Sequence, residues 1–231
     1  MNLNTERILL LDGAMGTMIQ EYGLDEGNNE YLNLSHPEII KEIHLKYIAA
    51  GADIIESNTF SANRISQKEY GCENIAAKMA YEGARIAREA ADEAEAIAAG
   101  IGAVRKVWVA GSMGPTSKSL TLAPDGSDPS FRPYGFDEMK EAYREQAEAL
   151  LKGGADMLLL ETCFDALNVK AAISAIEELS DNNDIPLMIS VSVGDRSGRT
   201  LTGQTIEAFH TAVSHYPLLS FGLNCSLATS S

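Results

Sequence analysis

Basic residues are scarce in this chain of 231 residues: 18 lysines and arginines stand against 33 aspartates and glutamates, a formal net charge of −15 at neutral pH. Such an excess repels phosphates and anionic headgroups, which argues against nucleic acid or a charged membrane as partner. Long apolar runs are also missing. The longest are strand-sized, far below the about 18 residues a spanning helix needs, and Met1–Arg7 carries neither the basic start nor the apolar stretch of a secretion signal. There are only three cysteines, Cys72, Cys163 and Cys225, an odd number that favours reduced thiols over a disulfide framework. These absences together lead to the expectation of a cytoplasmic protein.

Three chemical signatures are lacking as well. No lysine stands at the end of an apolar run, which disfavours Schiff-base chemistry. No H-E-x-x-H pair is present for a hydrolytic zinc site, and His36, His44, His210 and His215 fall on or beside helix patterns as surface or packing residues. The fingerprint G-x-G-x-x-G does not follow the first apolar run, which ranks an open dinucleotide-binding sheet below a barrel.

What is present is 45% hydrophobic content, enough for one domain spanning residues 1–231. Short Ile-, Leu- and Val-rich runs at Ile8–Leu11, Asp53–Glu56, Val107–Ala110, Met157–Leu160, Leu187–Val193 and Leu219–Leu223 read as parallel strands buried on both faces. Helix patterns lie between them at Pro37–Ala50, Ile75–Ala99, Asp137–Lys152, Ala166–Leu179 and Ile206–His215. Two units echo each other: Ala50-Gly51-Ala52-Asp53 before Ile54-Ile55-Glu56, and Gly153-Gly154-Ala155-Asp156 before Met157-Leu158-Leu159-Leu160-Glu161. Strand and helix in alternation predict an α/β fold of the (β/α)8 TIM barrel type, about two βα units short of the full eight, truncated after about six strands. The Gly-, Pro- and Ser-rich segment Ser112–Phe136 reads as a long loop placed to cover the mouth.

In such a barrel the chemistry sits at the C-terminal strand ends. After the first run comes Asp12-Gly13-Ala14-Met15-Gly16-Thr17, either an ordinary tight turn or a loop whose N–H groups receive a small anion such as a carboxylate. After the second comes Glu56-Ser57-Asn58-Thr59-Phe60, which read alone is a hydrogen-bonded loop satisfying buried backbone groups. The fourth run delivers Glu161-Thr162-Cys163-Phe164-Asp165. A carboxylate directly after four apolar residues is poorly solvated unless it meets a cation or donors, so Glu161 is the candidate for binding an ammonium group. Asp165 suits a helix cap and Cys163 a small packing residue. Cys225, after Gly222-Leu223-Asn224, puts a thiol at the mouth, to be read as an inert cysteine or as a metal ligand.

Together with Ala110-Gly111-Ser112-Met113-Gly114-Pro115-Thr116 and Ser197-Gly198-Arg199-Thr200-Leu201-Thr202-Gly203-Gln204, these motifs resemble, in order, the homocysteine-binding domain of cobalamin-dependent methionine synthase, whose wider relatives include betaine-dependent homocysteine methyltransferases. The resemblance implies zinc-dependent activation of the homocysteine thiol for methyl transfer to give methionine. It implies a zinc ion held by three cysteine thiolates, Cys225 being the first and an adjacent Cys-Cys pair after strand eight supplying the others. It further implies that Asp12 and Glu161 hold the homocysteine amino group and that the backbone of Gly13, Ala14, Met15, Gly16 and Thr17 cradles its carboxylate. Methylcobalamin on another domain would be the methyl donor, with a folate domain remethylating it. The Gly-Gly-Cys-Cys motif of that pattern is absent from the 231 residues, so this chain alone is expected to be inactive. The alternative expectation is an amino-acid-binding barrel fragment that does not hold zinc.

Overall fold

The computed structural model describes residues 3, 7–24, 27–180, 185–194 and 196–226. Five parallel strands form one sheet in sequence order, β1 (Ile54–Glu56), β2 (Trp108–Met113), β3 (Met157–Cys163), β4 (Leu187–Val191) and β5 (Leu218–Leu223). Eight helices lie among the described residues: α1 (Met15–Glu21), α2 (Leu32–Ser35), α3 (Pro37–Ala50), α4 (Arg64–Gln67), α5 (Ala76–Gly100), α6 (Phe136–Lys152), α7 (Ala166–Leu179) and α8 (Ile206–Val213). The expected helices all form, to within two residues at each end. The short α1, α2 and α4 carry no long apolar period that would announce them in the sequence.

The expected first strand is the main difference. Among the described residues Ile8–Leu11 makes one parallel bridge, Leu11 beside Ile54, and Ile8 is 85% exposed. A run with a partner on one side only has a single ladder in which to satisfy its backbone, and here that ladder is no longer than the short β1 beside it. The α/β class with parallel strands is therefore observed. Within the described residues the sheet has edges at β1 and β5, and the expected six strands become five and a bridge.

Local chemistry explains where the helices begin and end. Pro37 opens α3, and Gly51 at φ 116° closes it, its N–H and that of Ala52 returning to the carbonyls of Ile48 and Tyr47. Asp165 caps α7 by accepting the Leu167 N–H at 2.9 Å. The two echoed Gly-Ala-Asp units play the same structural part. Asp53 accepts the Leu10 N–H at 3.0 Å and Asp156 accepts the Val109 N–H at 2.8 Å, so each aspartate anchors the segment that precedes its own strand in the sheet.

Both sheet faces are buried. Ile54, Ala110, Met157, Leu159 and Met188 form an apolar cluster on the inner face, while Leu158, Leu160, Ile189 and Val191 pack outward against helices together with Phe209 and Ile173. Successive residues of a strand point to opposite faces, so the parity of each strand is fixed by this division. Glu56, Ser112 and Glu161 each stand two residues after an inner-face residue, at the C-terminal end of its strand.

Candidate active site

That parity brings the polar strand ends together. Asp12, Glu56, Ser112, Glu161, Asn224 and Cys225 line one cavity of about 590 Å³ at the C-terminal end of the sheet, with Gly13, Ala14, Met15 and Gly16 on its rim. Of the residues expected from the sequence, only Thr17 lies outside this lining; it is exposed on α1. A larger cavity of about 680 Å³ sits on the outer surface between α4 and α6. Arg64 and Glu145 in its lining pair with each other at 2.7 Å, and no strand residue lines it.

The glycines of the first loop do not make a left-handed turn. Neither Gly13 nor Gly16 has a positive φ, and helix α1 starts at Met15. Gly13 is needed for close approach: a Cβ there would stand 2.9 Å from the ring and hydroxyl of Tyr47, whose hydroxyl donates to the Ala14 carbonyl at 3.2 Å.

Electrostatically the cavity is one-sided. Among the described residues four carboxyl groups line it, from Asp12, Glu30, Glu56 and Glu161, and no Lys, Arg or His does. Asp12 accepts the Glu56 N–H on Oδ2 at 3.0 Å, while its buried Oδ1 has no partner. Burial, reinforced by the nearby Glu161, pushes Asp12 up to about 7 against the opposing backbone hydrogen bonds. Glu56 is pushed well above the usual carboxylate range by burial first, then by Glu161 and Asp12. Burial also raises Glu161, opposed by the Ser112 hydroxyl that donates to it. Glu30 is raised by burial and accepts the Ser61 N–H at 2.8 Å. Like charges out of water cannot all ionise unless a cation joins them.

Two of these groups have no role assigned from the sequence. Glu56 is a third strand-end carboxyl beside Asp12 and Glu161, and Asn224 lies between Glu161 and Cys225. The signal that marks them is parity: Glu56 follows Ile54 by two, and Asn224 follows Gly222, which is paired with Ser190.

The thiols separate clearly. Cys225 is exposed in the cavity, Cys163 is buried and Cys72 half-buried, and all three are free. Cys163 is raised by burial, as a packing cysteine should be. Asp165 holds the Ser119 hydroxyl at 2.5 Å and the Thr121 N–H at 3.0 Å in addition to capping α7. The loop of residues 112–136 is thereby tied to α7, and only Ser112 of it lines the cavity.

A profile of homocysteine S-methyltransferases matches residues 9–231. The chain belongs to the homocysteine S-methyltransferase family. Its fold is similar to that of the homocysteine methyltransferase MmuM from Escherichia coli. The oxidized form gives a TM-score of 0.78 at 25% identity, over 96% of this chain and 75% of that one. The metallated form gives 0.77 at 23%, over 96% and 76%, and the apo form 0.70 at 24%, over 96% and 73%. Among this family member's described residues no helix is long and apolar enough to cross a membrane.

Proposed function

We propose that this chain binds homocysteine in the acidic cavity and presents its thiol for methylation to methionine. The observation that carries the reading is the gathering of Asp12, Glu56 and Glu161 around one cavity that also exposes Cys225. An α-ammonium group is the cation that relieves the crowded carboxyls, and its arrival draws them into the ionised form. Among the described residues of the lining the substrate carboxylate finds no cationic side chain and is left to the backbone N–H groups of Gly13–Gly16. With both polar ends held, the side chain extends toward Cys225. In the reaction the homocysteine sulfur loses its proton and forms a bond to the incoming methyl carbon, whose bond to the donor breaks.

Zinc, which the family resemblance implies, lowers the pKa of a bound thiol when present. The described residues do not fit it by themselves: among them no group of three His, Cys, Asp or Glu side chains is arranged to hold a metal ion, and Cys163 and Cys72 lie outside the lining of Cys225's cavity. Cys225 is one donor, and a catalytic zinc needs about three from protein and a structural one about four. Two further expectations extend the proposal. A place within a cobalamin-dependent methionine synthase, with methylcobalamin and folate domains as partners, rests on the resemblance alone, and a shortened barrel rests on the number of apolar runs.

Isothermal titration of the 231-residue chain with L-homocysteine tests the central reading. Binding that falls at least about tenfold in Asp12→Asn or Glu161→Gln is expected, as for removal of one partner of a buried charged pair; a folded wild-type chain that binds no homocysteine would sink it. The second reading, an amino-acid-binding chain that holds no zinc, is favoured by the single donor at Cys225. It is separated by zinc analysis after dialysis, since one tightly retained zinc per chain contradicts it.

A further inference from the structure

Asn224 joins the two ends of the cavity. Its side-chain carbonyl accepts the Thr162 N–H at 2.9 Å and the Ser190 hydroxyl at 3.0 Å. A backbone N–H can only donate, so the atom facing it must be the oxygen, and the amide orientation is fixed. The NH₂ group donates to Thr162 Oγ1 at 2.8 Å. Its remaining N–H lies between Glu161 Oε2 at 3.5 Å and Cys225 Sγ at 3.7 Å. The Thr162 hydroxyl, having accepted from Asn224, faces Cys225 Sγ at 3.8 Å.

The backbone around this side chain is strained at two points. Thr162 has φ 57° and Cys225 φ 45°, the two non-glycine residues in the left-handed region among those described. Each such conformation costs about 1–2 kcal/mol and persists where surrounding bonds hold it. At Thr162 the bonds come from Asn224, at both its N–H and its hydroxyl. At Cys225 the carbonyl accepts the Ser192 hydroxyl at 3.1 Å. Relaxing Thr162 would swing Glu161, its neighbour on β3, while relaxing Cys225 would swing the thiol.

We propose that Asn224 is a positioning residue, which through Glu161 and Thr162 keeps the ammonium-binding carboxylate and the Cys225 thiol facing one ligand at a fixed separation. The proposal rests on the amino-acid reading of the cavity. It gives Asn224 a role distinct from direct contact with either end of the substrate.

A double-mutant cycle on the 231-residue chain tests it, with L-norvaline as probe, in which a methyl group replaces the homocysteine thiol. Asn224→Ala should weaken norvaline binding about tenfold in the wild-type background and less than about twofold in a Glu161→Gln background, because residues that act through one another are non-additive. Equal losses in the two backgrounds mean a general structural role and overturn the proposal. The thiol half is read from alkylation by iodoacetamide, followed by mass spectrometry at each cysteine. Asn224→Ala should change the Cys225 rate at least about threefold and leave Cys72 unaltered, the loss of an orienting hydrogen bond being local; an unchanged Cys225 rate overturns the link to the thiol. Asn224→Ser, which removes the amide N–H but leaves a small polar side chain, replaces the alanine variant if that does not fold. Failure of norvaline to bind the wild-type chain overturns the amino-acid reading itself, and the positioning role with it.

Discussion

The Glu56 backbone N–H donates to Oδ2 of Asp12 at 3.0 Å, binding the end of β1 to the loop that follows the Leu11 bridge. One hydrogen bond thereby places two carboxyl side chains in the same cavity, where burial disfavours the charge of each.

Stability should therefore respond to Asp12 with a definite sign. Its folded value of about 7 lies above the ordinary 3.8, so the folded chain binds the proton more tightly than the unfolded one. That contribution is fully present below pH 3.8 and is lost as pH rises through about 7. Asp12→Asn, which keeps an oxygen for the Glu56 N–H, should raise stability at pH 8 by on the order of 1–3 kcal/mol and change little at pH 4. Urea unfolding at the two pH values measures this, and an equal effect at both would be inconsistent with it.

Ligand binding should release protons. An ammonium group favours the ionised carboxyls, so the protons held by Asp12 and Glu56 in the free chain leave on binding. Titration of norvaline at pH 7 in buffers of different ionisation enthalpy should show net proton release, smaller in Glu56→Gln. Net uptake, or none, would show that the carboxyls are already charged when the cavity is free.

His44 supplies a slope of opposite sign. It is fully buried on α3 with neither ring nitrogen bonded, and burial lowers it from 6.5 to about 4. Its contribution to stability is present above pH 6.5 and is lost as pH falls through about 4. At pH 5 this costs about 2 kcal/mol relative to pH 8. In His44→Leu that acid-side loss should disappear from urea unfolding curves; a variant with the wild-type acid slope would place a charged His44 in the core.

Gly83 of α5 lies under the loop that follows β1. A Cβ at that position would stand 2.4 Å from Thr59 Cγ2 and 2.6 Å from Asn33 Nδ2. Asn33 in turn donates to the Asn58 carbonyl at 2.7 Å, so neither neighbour can retreat without disturbing the segment that carries Glu56. Gly83→Ala is expected to cost about 2–4 kcal/mol despite the better helix propensity of alanine. Thermal melting checks this, and an alanine variant as stable as wild type would mean that the loop moves aside at little cost.

How much of this is legible in the sequence differs by element. The helices Pro37–Ala50 and Ala166–Leu179 are readable to the residue, because Pro37, Gly51 and Asp165 act through the next turn of chain alone. The strands are readable as apolar runs, and Asp12, Glu161 and Cys225 as polar groups at their ends. Ile8–Leu11 is the exception, since its composition suits a strand while among the described residues it pairs with one neighbour.

The sequence by itself determined the α/β class, the order of the elements and the family, since local periodicity and contiguous motifs carry those. Only the tertiary structure decided that Glu56 joins Asp12 and Glu161 and that Asn224 stands between Glu161 and Cys225. It also showed that Gly13 is required by Tyr47, a residue 34 positions away, rather than by a turn. The physical reason is that a strand fixes the parity of its side chains locally. Which strand ends meet, and how far water is excluded from their carboxyls, depends on register between segments distant in the chain, which no short window of sequence encodes.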